Sequence, residues 1–276
     1  MAARLRGTIV RLFLKDAIAG FNAPKITVPN GVVLLHQSPI SDGVPMISNF
    51  ALKLETYLRM ADIPYENSFV PKMSSKGKIP WIEYNGKRIP DSNFCIAFLN
   101  EEFKVTLDDQ LSKTEKAISH AIKTMVEENS YWTMVYYRWV DDTPRTSKLF
   151  FPKLSQRKRD FFFPIFQRGS KGLLNGHGMG RHKKDEVYSI ARKDLQTLSD
   201  YLEAKPFVMG QEPTLVDASV FGYLAQVVWQ DKHSPQHAAV HSEFNNLIGY
   251  CERMKEKYWS DWDEAIAQRK TFHSES

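Results

Sequence analysis

Residues 78–92 restrict the possible folds of this chain more than any other segment, because they contain a proline-led strand, a tight turn, a second strand and the start of a helix. Asn85-Gly86 supplies the two positive φ angles that a type I′ turn requires, so the flanking segments are predicted to pair as an antiparallel hairpin. Pro80 has no N–H to donate to a sheet, which places it at the start of a strand. We predict a cis bond before Pro80 and a backbone at Ile79 that faces a peptide-like ligand.

Two further segments predict elements beside this hairpin. Asp91 and Ser92 follow the second strand and begin an amphipathic run from 94 to 103, so we expect them at the start of a helix that can hold a carboxylate. Upstream, residues 32–36 are typical of a strand, and residues 48–59 are typical of a helix. The amino-terminal part of the chain is therefore predicted to combine strands and helices.

The composition limits the class of protein. A chain of 276 residues that is 42% hydrophobic can bury a substantial core, and its length favours two modest domains. The net charge of +5 is small and dispersed, which argues against nucleic-acid binding and mildly favours anionic ligands or membrane surfaces. Cys95 and Cys251 lie far apart in apolar helical contexts, so we expect no disulfide, no nucleophilic cysteine and a cytoplasmic location.

The first 30 residues form a separate segment in which Arg4, Arg6, Arg11 and Lys15 interrupt short apolar runs. No run approaches the about 20 apolar residues of a membrane span, and the charges also break any signal-peptide core. Three interpretations stay open for residues 1–20: peripheral contact with an intracellular membrane, a mitochondrial address, or a tail that packs locally.

After residue 103 the alternation typical of strands disappears, and apolar residues recur with helical spacing. We predict an all-helical part that begins with one long helix from 112 to 141. The aromatic residues on that helix recur at the spacing of ordinary core packing.

Two polar patterns in the helical part favour structure over chemistry. Thr214 and Asp217 have the spacing of a capping box, so Asp217 is expected to stabilise a helix start and to take no part in catalysis. His233, His237 and His241 recur every fourth residue without a further ligand beside them, and we therefore expect no metal site.

Glycines recur between 172 and 180, and no strand precedes them. We therefore expect no phosphate-binding turn but a flexible connection before a helix from 184 to 203. Basic residues surround this segment and form either a solvated face or a patch for anionic surfaces. They are Arg157, Lys158, Arg159, Arg168, Lys171, Arg181, Lys183 and Lys184.

The order of strand, proline, hairpin and acid-serine pair resembles the glutathione transferase family. The resemblance extends through the strand at 32–36 and the helix that starts at Ser48, and it covers residues 32–262. It implies an α+β fold with a thioredoxin-like amino-terminal domain over 31–104 and an all-α carboxy-terminal domain over 112–265, after the basic extension 1–30. Transferase relatives commonly form dimers, so a homodimer is a further expectation.

The resemblance also implies a glutathione site and a reaction. The residues implied to bind glutathione are Lys78, Ile79, Pro80, Asp91 and Ser92. Among them, Asp91 and Ser92 hold the γ-glutamyl end, Ile79 pairs with the cysteinyl unit, and Lys78 meets a carboxylate. Ser48 is the implied catalytic residue, because it lies where a helix N-terminus and a hydroxyl both favour the thiolate. The implied reaction is conjugation, isomerisation or elimination on a small hydrophobic electrophile.

The resemblance also implies that the long helix lines the substrate pocket. Tyr131, Tyr136 and Arg138 are the candidates for that pocket, in competition with core packing.

Three blocks, 52–60, 77–85 and 175–181, resemble in particular the failed axon connections group, a metaxin-like branch of the same superfamily. Asn49 stands where serine- and cysteine-type transferases have proline. Ala51 stands where members of this group often have cysteine, which excludes a cysteine mechanism at that position. The alternative function is therefore a non-catalytic, membrane-associated or interaction module on the same fold.

Overall fold

The computed structural model describes residues 26–38, 42–69, 72–150 and 154–275, and its amino-terminal part is built on one four-stranded sheet. The strands are β1 (Val33–His36), β2 (Tyr65–Ser68), β3 (Trp81–Tyr84) and β4 (Lys87–Pro90), in the spatial order β2-β1-β3-β4. β1 is parallel to β2, whereas β3 is antiparallel to both β1 and β4. Asn85 and Gly86 have φ of 45° and 79°, which confirms the predicted hairpin.

Two helices of the amino-terminal part share a core with this sheet: α1 (Asn49–Met60) and α2 (Ser92–Phe103). Val33 and Leu35 of β1 alternate with Leu34 and His36, as the two faces of a strand require. Val33 and Leu35 belong to the main apolar core, and the ring of His36 stacks on Trp81 at 3.8 Å. The described residues 72–80, which lead into β3, form turns but no helix.

The rest of the described chain is helical, which confirms the predicted α+β class with a sheet part followed by a helical part. The α-helices are α3 (Lys113–Thr124), α4 (Tyr131–Tyr136), α5 (Thr143–Phe150), α6 (Gln156–His177), α7 (Lys184–Leu202), α8 (Leu215–Ala225), α9 (Pro235–Glu243), α10 (Asn245–Tyr258) and α11 (Trp262–Glu275). Among the described residues, no helix is long and apolar enough to cross a membrane. The basic segment 1–20 lies outside the described residues.

The long helix predicted from 112 to 141 is present, but it contains two π-helical segments, Met125–Ser130 and Tyr137–Asp141. The hydroxyl of Ser130 donates to the carbonyl oxygen of Met125, five residues earlier, at 3.3 Å. The same hydroxyl donates to Asp194 of α7 at 2.7 Å, so the first irregular turn coincides with a tertiary hydrogen bond.

The predicted glycine-rich connection is wrong for its first half, because Gly172 and Gly176 lie inside α6. The helix ends only at His177, and Gly178 follows with φ of 108°. Two helical glycines cost roughly 1 kcal/mol each. The helix persists because Leu174 between them is buried against Met179 and Val187 in a small second apolar cluster.

The capping box at the start of α8 is confirmed. The carboxylate of Asp217 accepts hydrogen bonds from the Thr214 N–H at 2.7 Å, the Thr214 hydroxyl at 3.0 Å and the Val208 N–H at 2.9 Å. Burial raises the pKa of Asp217 to about 6, and these hydrogen bonds oppose that rise. Because the carboxylate of Asp217 is fully buried and paired with Thr214 and Val208, Asp217 stabilises the helix start.

α1 lies directly against α8, and a glycine permits this close approach. A Cβ atom at Gly222 would be 2.6 Å from the carbonyl oxygen of Asn49 and 3.1 Å from Cβ of Lys53. Real Cβ atoms are not found that close to backbone oxygen, so any larger residue must push the two helices apart. The contact joins the amino-terminal helix to the most deeply buried helix of the carboxy-terminal part.

We expect Gly222→Ala to lower the free energy of unfolding by about 1–3 kcal/mol, because the added methyl group overpacks the α1–α8 contact. Gly172→Ala is the matched control, since nothing lies within 4 Å of its hypothetical Cβ on α6. That control should raise the free energy of unfolding by about 0.5–1 kcal/mol. Urea denaturation followed by circular dichroism measures both, and effects of the same sign would contradict this packing.

Candidate active site

The residue before Pro80 presents its backbone at the start of β3. The Ile79–Pro80 peptide bond is cis, as predicted. The ladders of β3 begin at Trp81, and within the described residues the N–H and C=O of Ile79 bond to no other backbone group. The preceding carbonyl, of Lys78, instead accepts from the N–H of Ser74 at 3.1 Å. Ile79 therefore offers one donor and one acceptor to an extended ligand that adds to the sheet.

Asp91 is the N-cap of α2 and has an unusual backbone, with φ of 77° and ψ of 128°. Its Oδ1 accepts from the N–H groups of Asn93 at 3.0 Å and Phe94 at 3.5 Å. No described residue donates a hydrogen bond to Oδ2. Ser92 follows as the first, buried residue of the helix. A positive φ outside glycine is often retained at functional sites, and here it leaves one carboxylate oxygen and a helix N-terminus for a ligand.

Ser48 is the N-cap of α1 and is half-buried. Its Oγ accepts from the N–H of Ala51 at 3.3 Å, so its hydroxyl hydrogen remains to be donated. Phe50, in the first turn of the same helix, contacts the ring of Tyr131 edge-on at 4.9 Å. The two rings pack against each other beside the start of α1, and Tyr131 as a residue of a substrate pocket stays a prediction.

Arg138 has a different role from the one predicted for it. It is buried, and its guanidinium donates to the carbonyl oxygen of Ile47 at 2.7 Å, to Gln226 at 2.9 Å and to Asp231 at 3.0 and 3.1 Å. Gln226 in turn donates to the carbonyl oxygen of Met46 at 2.9 Å. Burial raises the pKa of Asp231, and the ion pair with Arg138 opposes that shift. Arg138 thus holds the backbone that precedes Ser48 and does not line a pocket.

Tyr136 also lies in a packed position. It belongs to the small apolar cluster that contains Leu174, Met179 and Val187, and its ring contacts Tyr188 edge-on at 6.2 Å. These partners come from α6, the short 3₁₀ turn after it and α7. Core packing is therefore the role that its surroundings indicate.

A buried polar network, which the sequence interpretation missed, ties the helix of Ser48 to the helix of Asp91. The ammonium of Lys53 lies 2.5 Å from Oε1 of Glu127 and 2.7 Å from Oδ1 of Asn93. The amide of Asn93 donates to Oε2 of Glu127 at 2.8 Å, which closes a ring of three side chains. Lys53 follows Ser48 by five residues, and Asn93 follows Asp91 by two. The network therefore fixes the two helix starts relative to each other.

The carboxylate of Glu127 is stabilised in its charged form. Burial alone would raise its pKa, but the ion pair with Lys53 and hydrogen bonds from Asn93 and Ser219 outweigh burial and hold the pKa below its usual range. Removal of one partner would leave a buried charge without compensation, which is far more costly than the loss of an exposed pair.

The histidines noted in the sequence make other contacts. Nδ1 of His237 lies 3.0 Å from the carbonyl oxygen of Val227, and its ring is 4.1 Å from that of His241. In the part of the chain that the structure describes, no three His, Cys, Asp or Glu side chains are grouped as metal ligands.

Two family models match the chain: the glutathione S-transferase N-terminal domain over residues 49–143 and the glutathione S-transferase C-terminal domain over residues 191–254. The chain is also 30% identical to the isoprene-epoxide–glutathione S-transferase of Rhodococcus. The 227 aligned residues cover 78% of this chain and 94% of that protein. The chain belongs to the glutathione transferase family. The predicted resemblance to this family is thereby confirmed.

Other relatives of this transferase-family chain come from animals. Failed axon connections of Drosophila melanogaster is 33% identical over 262 residues, which cover 88% of this chain but 62% of that protein, so the chain spans less than two thirds of its length. Mouse Metaxin-2 is 22% identical over 239 residues, or 83% of this chain and 89% of Metaxin-2. The predicted similarity to the failed axon connections and metaxin branch is confirmed.

Solved structures show the same fold. The beta-etherase LigF of Sphingobium has a TM-score of 0.58 at 14% identity, over 87% of this chain and 98% of that one. A glutathione transferase family member of Pseudomonas fluorescens, solved with two glutathione molecules bound, has a TM-score of 0.52 at 12% identity, over 92% and 97%. The predicted thioredoxin-like amino-terminal part and helical carboxy-terminal part are confirmed by this fold.

We expect Lys53→Met to lower the free energy of unfolding by about 3–5 kcal/mol, because it leaves Glu127 charged and buried. The double variant Lys53→Met with Glu127→Gln should lose less than the two single losses combined. Lys257→Met is the control, since its pair with Glu212 is exposed and worth about 1 kcal/mol or less. Urea denaturation of all variants gives the double-mutant cycle, and additive losses would contradict the coupling.

Proposed function

We propose that this chain binds reduced glutathione and activates its thiol for attack on a hydrophobic electrophile. The observation that carries the proposal is a set of three groups at the ends of elements: the hydroxyl of Ser48 at the start of α1, the backbone N–H and C=O of Ile79 before β3, and Oδ2 of Asp91 at the start of α2. Lys53 and Asn93 join the helices that bear the first and last of these groups. Free thiols at Cys95 and Cys251, both buried, fit a reducing location such as the cytoplasm.

The charges of glutathione match this set. Its γ-glutamyl ammonium is complementary to the Asp91 carboxylate, and its γ-glutamyl carboxylate to the N-terminus of α2 at Ser92. The cysteinyl unit pairs with the N–H and C=O of Ile79 as an added strand, with Pro80 buried behind it. Lys78 is exposed and supplies a cation for the glycyl carboxylate.

Thiol activation follows from the position of Ser48. A free thiol has a pKa of about 8.5, and the N-terminus of a helix together with one hydroxyl donor favours the thiolate. The thiol proton leaves to solvent, and the sulfur then forms a bond to the electrophilic carbon. In an addition to an epoxide, the carbon–oxygen bond breaks and the oxygen takes a proton from solvent. Phe50 and Tyr131 give the electrophile an apolar surface beside the sulfur.

We expect Asp91→Asn to weaken glutathione binding at least about tenfold, because a charged hydrogen bond of about 1.5–3 kcal/mol is lost. Asparagine tolerates positive φ and still caps a helix, so the fold should remain intact. Asp62→Asn is the matched control, since Asp62 is exposed and also has positive φ, at 52°. Calorimetric titration measures both. If the two variants bind glutathione with equal affinity, Asp91 is not part of the glutathione site.

We expect Ser48→Ala to raise the thiol pKa of bound glutathione and to slow conjugation of a chlorodinitrobenzene at least about tenfold, while binding persists. The lost N-cap costs about 1 kcal/mol of stability. Ser112→Ala controls for that cost, because the hydroxyl oxygen of Ser112 caps α3 by accepting a hydrogen bond from the Glu115 N–H at 3.2 Å. Thiolate ultraviolet absorbance and initial rates are the measurements.

The alternative, a non-catalytic membrane-associated or interaction module, has its own signature in the same experiment. Under it, the wild-type chain binds glutathione but leaves the thiol pKa at the solution value, and Ser48→Ala changes no rate. That outcome would contradict the catalytic proposal while leaving glutathione binding in place.

A further inference from the structure

α6 exposes three large apolar side chains to solvent. Phe161 is 73% exposed, Leu173 is 65% exposed and Ile165 is 38% exposed. Since neighbours on a helix face recur three or four residues apart, the three side chains lie along one side of this 22-residue helix. The opposite side holds Phe163 and Leu174, which are buried in the protein. We call the exposed side the α6 apolar face.

Glycines fill the positions between these side chains. Gly169, Gly172 and Gly176 share the same side of the helix, and nothing lies within 4 Å of a hypothetical Cβ atom at any of them. The face is therefore an open ridge of apolar side chains and bare backbone, without a polar side chain of its own in its central turns.

Cations border this face. Arg157, Lys158, Arg168 and Lys171 of α6 are all exposed. The only acidic residue of the helix is Asp160, and it accepts a hydrogen bond from Gln156 at 2.6 Å. An apolar stripe beside exposed lysines and arginines is the pattern of a helix that lies in the plane of an anionic interface.

We propose that the α6 apolar face docks onto an anionic phospholipid bilayer. Phe161, Ile165 and Leu173 enter the boundary between headgroups and acyl chains, and the flanking cations contact lipid phosphates and carboxylates. Charge decides between this occupant and a second copy of the chain. Two copies that met through this face would bring their Arg157, Arg168 and Lys171 side chains together, whereas an anionic bilayer neutralises them.

The test is sedimentation of the full chain with vesicles of phosphatidylcholine that contain about 30% phosphatidylserine, which imitates an anionic membrane leaflet. Wild-type protein should bind these vesicles and not pure phosphatidylcholine, and binding should weaken as salt rises. Both Phe161→Ser/Leu173→Ser and Arg168→Glu/Lys171→Glu should lower the partition coefficient at least about tenfold.

Matched variants separate this face from other basic or apolar positions. Lys113→Glu/Lys116→Glu reverses two exposed charges on α3, and Phe94→Ser removes a phenyl ring that is 59% exposed on α2. Neither should change vesicle binding. A third control reverses Arg4, Arg6, Arg11 and Lys15, which tests the basic amino-terminal segment. Circular dichroism and thermal unfolding verify that every variant is folded.

A labelling experiment reports the face directly. Because the two native cysteines are buried, a fluorophore attached to Leu173→Cys marks only this position. Its emission should shift to the blue with anionic vesicles, while the same label at Thr114→Cys on α3 should not respond.

Three outcomes would overturn the proposal. In the first, the α6 variants bind vesicles as well as the wild-type protein does. In the second, vesicle binding is lost only when the amino-terminal charges are reversed. In the third, the protein does not bind vesicles but forms a concentration-dependent dimer that the α6 variants abolish. The last would assign the face to a second copy.

Discussion

The ion pair between Lys53 and Glu127 sets the geometry of the candidate site, because both charges are buried and must be compensated inside the protein. Removal of each charge from water costs on the order of several kcal/mol, so the pair is tolerated only with good geometry and added hydrogen bonds. Asn93 and Ser219 supply those bonds, at 2.8 and 2.7 Å. Directional hydrogen bonds from α1, α2 and α8 thus fix the starts of α1 and α2 relative to each other, whereas apolar packing alone would let the helices slide.

A second buried charge on α1, the carboxylate of Glu55, ties α1 to the carboxy-terminal helix α11 as well. Glu55, two residues beyond Lys53, accepts from Arg269 of α11 at 2.7 Å and from Gln37 after β1 at 2.6 Å. Asn67 of β2 donates to it at 3.0 Å. α1 therefore carries one buried cation and one buried anion, and each binds a different part of the fold. The helix whose N-cap is Ser48 is in consequence held on several sides, which is the preorganisation that the proposed thiolate stabilisation requires.

Local chemistry made the ends of the elements predictable. The Asn85-Gly86 turn and the caps at Ser48 and Asp91 depend on residues within a few positions of one another, so their sequence patterns suffice. Arg138 received the wrong role because its partners lie about ninety residues away in the sequence. Lys53 did leave a signal, since a lysine between two leucines of a largely buried helix predicts a buried partner, but one sequence does not identify that partner.

The glycines of α6 are a case in which a local sequence pattern predicts the wrong structure. Their propensity favours a loop, yet the helix forms because Leu174 is buried with Met179 and Val187 in an apolar cluster separate from the main core. That separation has a functional consequence. The main core contains α1 and α8 and supports the proposed thiol site, whereas the small cluster supports the α6 apolar face. Substitutions on sites that share no partners generally act additively, so the proposed membrane docking and the proposed thiol chemistry are expected to respond to substitution independently.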